Sequence, residues 1–203
     1  MPKTWLKKHR KDYYYRKAKE EKYRSRAAYK LMQVARKYNI IARNDIIIDF
    51  GAAPGGWMQV ASRLAGEHGF ILGIDLKQID PFDEANTCSI VGDITDPDLT
   101  GQIQSILPCQ PDVIISDVAP NLTGVWDLDH ARQIDLARRS LQIAVATLKP
   151  AGNFFVKTFQ GDLLRDFVEE MKHHFKRVLI IKPLASRARS AEIYVLGLQL
   201  KAS

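Results

Sequence analysis

Three charged side chains stand where apolar, strand-like runs leave least room for them. Lys157 lies inside Phe154-Phe155-Val156-Lys157-Thr158-Phe159. Asp117 closes Val113-Ile114-Ile115-Ser116, and Glu192 opens Ile193-Tyr194-Val195-Leu196. A cation inside an apolar strand is costly unless it is paired or functional. An amine held that way is equipped to take a proton from a hydroxyl nucleophile. The plainer alternative is a lysine whose stem crosses apolar surface and whose ammonium reaches water at a strand end. From this residue alone both readings stay open.

A second group of residues has the spacing of a cofactor loop. Asp49-Phe50-Gly51-Ala52-Ala53-Pro54-Gly55-Gly56-Trp57 directly follows Ile46-Ile47-Ile48, an apolar β-branched run that reads as a buried parallel strand. Glycines there, Gly51 and Gly55 among them, let the backbone approach a ligand closely. Open α/β sheets bind nucleotides at this end of their strands. A dinucleotide fingerprint would read G-x-G-x-x-G, and the first spacing here is wrong. Pro54 also removes a backbone N–H that a pyrophosphate cradle would use. S-adenosylmethionine has no pyrophosphate and fits better. Asp75 closes Gly73-Ile74-Asp75, where a carboxylate can accept from a ribose diol. Asp93, in Val91-Gly92-Asp93-Ile94, could accept from the adenine amino group, with Ile94 against the ring. Asp93 could equally cap the next segment. Trp57, next to the loop, is expected to wall the cofactor pocket.

The elements that must position these groups alternate along the chain. A helix of three to four turns is expected to open at Ser25 as N-cap, with Ala28, Leu31, Met32 and Ala35 facing the core. Strands are expected at Ile46–Phe50, Phe70–Leu76, Ser89–Ile94, Val113–Asp117, Asn153–Phe159, Val178–Lys182 and Ile193–Leu200. Helices fit between them at Gly56–Ala65, Leu99–Leu107, His130–Leu148 and Asp162–His174. This alternation implies an α/β fold with a mostly parallel sheet and helices on both faces. The short link after Lys182 favours antiparallel pairing of the seventh strand. That is the layout of Rossmann-like S-adenosylmethionine-dependent methyltransferases.

Composition narrows the partners. The chain of 203 residues carries a net charge of +7, unevenly placed. Residues 1–30 hold 12 Lys or Arg against 3 acids, and the remainder holds 18 against 20. A basic arm, residues 1–24, thus precedes a methyltransferase domain, residues 25–203. Trp5, Tyr13, Tyr14 and Tyr15 interrupt the arm, and cations interleaved with aromatic rings suit RNA. A solvated tail is the bland alternative. No apolar run approaches the ~20 residues of a membrane span, and the charged N-terminus lacks a signal-peptide core; a cytoplasmic protein is expected. Cys88 and Cys109 have no metal-ligand spacing and are expected to be buried or half-buried thiols.

Five segments together resemble a known family. They are Ser25-Arg26-Ala27-Ala28-Tyr29-Lys30-Leu31, Asp49–Trp57, Ser116-Asp117-Val118-Ala119-Pro120-Asn121, Phe155-Val156-Lys157, and Ser186-Arg187-Ala188-Arg189-Ser190-Ala191-Glu192-Ile193-Tyr194. In this order they resemble the FtsJ/RrmJ (RlmE-type) ribose 2′-O-methyltransferases over residues 22–200. The resemblance implies a catalytic tetrad of Lys30, Asp117, Lys157 and Glu192. It implies cofactor contacts from the Gly51–Trp57 turn, at Gly55 and Trp57, and from Asp75, Asp93 and Asp117. It implies attack by a ribose 2′-hydroxyl on the cofactor methyl, with Lys157 as general base, Lys30 stabilising the oxygen and Glu192 orienting the lysines. No metal is implied. The substrate implied is a uridine of large-subunit (23S-type) ribosomal RNA, with no obligate protein partner. The basic arm and the loop bearing Arg187 and Arg189 would grip phosphates; Arg138 and Arg139 could share that face or lie on a solvated helix face. Related members act on the tRNA anticodon loop or on the messenger RNA cap. A non-catalytic RNA-binding protein is the reading from a different class.

Overall fold

The computed structural model describes residues 13–187 and 189–202; residues 1–12, with Trp5 and the first part of the basic arm, lie outside the described residues, as do Ala188 and Ser203. Seven strands form one sheet: β1 Ile46–Phe50, β2 Phe70–Asp75, β3 Thr87–Val91, β4 Val113–Ser116, β5 Asn153–Phe159, β6 Phe175–Ile181 and β7 Glu192–Leu200. Their order is β3-β2-β1-β4-β5-β7-β6. The first five run parallel, and β7 lies antiparallel between β5 and β6. This is the Rossmann-like methyltransferase layout that the element pattern implies.

Strand alternation splits the core into two layers. Ile47, Ile71, Ile115, Phe155 and Tyr194 face helices α1 (Ala28–Tyr38) and α2 (Gly56–Ala65). Ile48, Leu72, Ile114, Phe154 and Val195 face α3 (Leu99–Ile106), α4 (Trp126–Thr147) and α5 (Leu164–His174). Each fully buried Ile or Phe contributes about 1.5–3 kcal/mol relative to exposure. Their unbroken runs on β1, β4 and β5 are what a sheet covered on both faces requires.

Several boundaries differ from the sequence expectation. β3 ends at Val91 rather than Ile94, because Asp93 folds into a turn that accepts from Thr95. β6 starts at Phe175, immediately after α5, rather than at Val178. α4 begins four residues early, at Trp126, with Asp127 and Asp129 in a first turn where the helix dipole favours acids. Ser25 is not the N-cap of α1. That position is Ala27, with no side-chain cap, and the Ser25 hydroxyl packs against Gly56 instead. Cys88 is half-buried, but Cys109 is exposed.

Residues 13–20 are helical and continue the basic segment onto the domain surface. Ala18 and Tyr23 are buried. Tyr14 meets Tyr29 at 5.3 Å and accepts from the Gln33 amide. Arg24 lies over the Phe82 ring and donates to the carbonyls of Pro54, Asp80 and Pro81. Among the described residues no helix is long and apolar enough to cross a membrane.

Candidate active site

Strand order reverses between β1 and β4, so the loops after these strands diverge and leave a crevice at their carboxyl ends. A cavity of about 390 Å³ occupies it, in the size range of small-molecule sites. Its lining includes Gly51, Asp75, Asp93, Ile94 and Asp117. Gly51 has φ +72°, the left-handed region that favours glycine. The Asp75 carboxylate accepts from the N–H groups of Ala53 (3.0 Å) and Lys77 (2.9 Å). The Asp93 carboxylate accepts from the Thr95 N–H (2.8 Å) and hydroxyl (2.7 Å). Those bonds, the backbone one first, hold its carboxyl below the usual range.

The other two loop residues sit differently. Neither Gly55 nor Trp57 lines the cavity. Gly55, φ +108°, leaves room for the Phe82 ring and Arg24. The Trp57 side chain is not a pocket wall. It is buried on the α1 side, donates to the Ala27 carbonyl at 2.8 Å, and stacks on Phe155 at 5.5 Å. Its indole braces the sheet beneath Lys157 and Tyr194, and only its backbone N–H, in the first turn of α2, is free of an intrahelical partner.

The donor set fits S-adenosylmethionine. Three aspartates line the cavity, and among the described residues no Lys or Arg does. That balance opposes a pyrophosphate and suits a cationic ligand with ribose hydroxyls and an adenine edge.

Asp117 also links the cavity to the other three residues that the resemblance names, Lys30, Lys157 and Glu192. Lys157, 7% exposed, donates to the Asp117 carbonyl at 2.5 Å and faces its Oδ1 at 3.3 Å. Those contacts offset the cost of a cation in the Phe154–Phe159 run. Lys30, from α1, pairs with Glu192. It also donates to the Tyr194 hydroxyl at 3.0 Å. All four sequence-derived residues therefore converge.

The sequence reading missed Tyr194, which joins the two ion pairs. Its hydroxyl bonds Asp117 Oδ1 at 2.9 Å and also meets Glu192. Tyr194 pairs with Lys157 across β5–β7, so the two share a sheet face. The signal was present: Tyr194 is two residues from Glu192, hence on the same side of the strand. Burial first, then Asp117 and Glu192, pushes the phenol well above its ordinary range, so it stays protonated. Burial raises Glu192, but Lys30 and Tyr194 outweigh it and leave the carboxyl below its usual range, ionised. Tyr194→Phe is expected to slow single-turnover methyl transfer about tenfold, the scale of one hydrogen bond to a charged group, with cofactor affinity unchanged. A rate equal to wild type would make the hydroxyl a bystander.

Beneath the glycine loop lies Asp49, fully buried, with neither carboxylate oxygen partnered among the described residues. Burial, then Asp117 and Asp75, pushes its carboxyl well above the usual range. The folded state therefore holds a proton that the unfolded chain releases above about pH 4. Stability falls as pH rises from there toward the folded value. Wild-type Tm is expected to drop more steeply between pH 5 and 8 than that of Asp49→Asn, by a few °C on the scale of ~2–4 °C per kcal/mol. Parallel curves in scanning calorimetry would show that Asp49 is ionised in the fold.

A model of the FtsJ-like methyltransferase family matches residues 23–200. The chain belongs to that family. Its FtsJ-like relatives include a ribosomal RNA large subunit methyltransferase E of Methanothrix thermoacetophila, 54% identical over 94% of this chain and 73% of the relative. Another, of the same description, is from Methanocaldococcus jannaschii, 48% identical over 96% of this chain and 81% of the relative. Among solved structures, a Plasmodium falciparum protein described as a ribosomal RNA methyltransferase superposes with TM-score 0.78 at 28% identity, covering 89% of this chain and 100% of that one. The Methanococcus jannaschii fibrillarin pre-rRNA processing protein shares the fold, with TM-score 0.57 at 17% identity over 80% of this chain and 70% of that one. Within this FtsJ-like domain, the two arginines for which an RNA-facing or a solvated position was open both have protein partners. Arg139 donates to the carbonyls of Ile94 and Asp96 behind the cavity, and Arg138 pairs with Glu170. Arg187 and Arg189 are exposed on the loop before β7.

Proposed function

We propose that the protein transfers a methyl group from S-adenosylmethionine to the ribose 2′-hydroxyl of a uridine in large-subunit ribosomal RNA. One observation carries the reading. Asp117 lines the cavity and also holds the Lys157 amine with its carbonyl and Oδ1. A proton acceptor and a ligand cavity thus share one residue. When bound, the cofactor supplies an electrophilic methyl carbon. Asp75 would hold its ribose, Asp93 its adenine edge, and the turn at Gly51 its methionine part. Lys157, as the free amine after its ammonium has released a proton to solvent, receives the proton of the attacking hydroxyl, a step worth about 10²–10⁴ in rate. Lys30 faces the oxygen as charge develops there. Glu192 and Tyr194 fix Lys30, and Asp117 fixes Lys157, so little reorganisation accompanies transfer.

The ribosomal substrate is supported by the relatives' description and by the basic residues beside the site. The deciding experiment follows labelled methyl into unmodified large ribosomal subunits, free ribosomal RNA and bulk tRNA. Label at a ribose of the subunits or their RNA supports the reading. Label on tRNA alone keeps the chemistry and changes the substrate. The arm enters through salt dependence. For every phosphate that the arm neutralises, its removal should make the slope of log affinity against log salt shallower by about 0.7. Removing residues 1–12, with five Lys or Arg, is expected to flatten it. An unchanged slope would remove residues 1–12 from the RNA interface.

A further inference from the structure

Beyond Lys157, the same face of β5 carries one more side chain, Phe159. Two residues along a strand place it ~7 Å from Lys157 along the strand axis. The Trp126 ring stacks near Phe159, at 6.0 Å and 26°. Trp126 also stacks on His130, at 5.7 Å and 10°. His130 is itself fixed: its Nε2 accepts the Leu163 N–H, and its ring fills the space that a side chain on Gly161 would need. Yet Trp126 remains 46% exposed, with Leu122, Val125 and Leu128 exposed nearby in sequence. The loop leading to it is tied down, because Asp129 accepts from the Thr123 N–H and hydroxyl and from the Gly124 N–H. A half-exposed indole, held against the aromatic ring that lies one strand step beyond Lys157, offers a flat apolar face to a planar ligand.

We infer that Trp126, backed by Phe159 and His130, is the stacking surface for the base of the nucleotide being methylated. The inference rests on the 2′-O-methylation reading above, which puts the target ribose at Lys157. The base joined to that ribose must leave the catalytic amine by the width of a sugar, and Phe159, ~7 Å along the strand from Lys157, carries Trp126 as its stacking partner on that side of the site. A stacked base is held without being read by hydrogen bonds, because every base has a π face. Trp126 therefore positions the ribose and improves the alignment of its hydroxyl on Lys157, and base identity is chosen elsewhere.

The test is initial-rate kinetics of Trp126→Phe, Trp126→Leu and Trp126→Ala on unmodified large ribosomal subunits. Cofactor Kd and Tm are measured on the same samples. Trp126→Phe is expected within about threefold of wild type in kcat/KM. Trp126→Leu, which keeps apolar bulk without a ring, and Trp126→Ala are expected to lose about ten- to a hundredfold. Cofactor Kd should not move. In the wild-type protein, ultraviolet irradiation is expected to crosslink the segment 122–130 to the methylated nucleotide. A Leu variant equal to wild type overturns the proposal, since apolar contact with any partner would then suffice. A crosslink to a protein or to a distant nucleotide overturns it as well, whatever the variants do to stability. Those outcomes leave the methyltransferase reading standing. No label transferred by wild type to any RNA removes both.

Discussion

Lys157→Met is expected to bind S-adenosylmethionine within about threefold of wild type and to transfer methyl groups about 10³-fold more slowly, a loss of ~4 kcal/mol of transition-state stabilisation. Methionine keeps the unbranched stem that threads the Phe154–Phe159 strand and deletes only the amine. What the amine touches is Asp117, through its carbonyl at 2.5 Å and its Oδ1 at 3.3 Å. Oδ1 keeps the Tyr194 hydroxyl at 2.9 Å, so the carboxylate is not stranded when the lysine goes. The contrast between a nearly intact Kd and a collapsed kcat is the signature of a group acting only in the chemical step. Isothermal titration and single-turnover rates measure the two sides. Turnover within tenfold of wild type would sink Lys157 as proton acceptor.

Gly51→Ala is expected to weaken cofactor binding at least about tenfold and to lower Tm. A Cβ on Gly51 would stand 2.8 Å from the Val118 nitrogen and 2.9 Å from its Cα, backbone atoms that cannot rotate away. The φ of +72° adds about 1–2 kcal/mol for any L side chain. Relief requires the loop after β1 to part from the loop after β4, and these are two walls of the cavity. Because the second loop also carries Asp117, kcat should fall with affinity. Gly101→Ala is the matched control. It lies within a helix with nothing within 4 Å of its added Cβ, so it should gain up to ~1 kcal/mol and leave binding alone. Equal effects from the two substitutions would mean that the close approach at Gly51 does not shape the cavity.

The parts legible from sequence were those written in backbone chemistry or in misplaced charge. Apolar β-branched runs marked the parallel strands, the glycine turn after Ile46–Ile48 marked the ligand end, and Lys157 declared itself by its cost. Lys30 was accessible through family resemblance alone, since a lysine on a helix surface has many uses. Tyr194 escaped because an aromatic in an apolar strand is core by default, and its hydroxyl role depends on cross-strand register with Lys157. Trp57 was misplaced because adjacency to a loop says nothing of which face of α2 a side chain takes. The end of β3 slipped by three residues because Asp93 prefers its own turn with Thr95 to the sheet. Asp49 was in plain view, but its lack of partners belongs to the packing above it.

Strand β7 enters between β5 and β6 rather than at an edge, although it is the last of the seven in sequence. It brings Glu192 and Tyr194 to groups from residues 30, 117 and 157. Without β7, Lys30 would lose its carboxylate partner and Asp117 its phenol partner. The cavity draws on the first four strands, whereas the link between its two ion pairs is supplied by the last strand alone, so one nine-residue segment couples the far ends of the sequence at a single point.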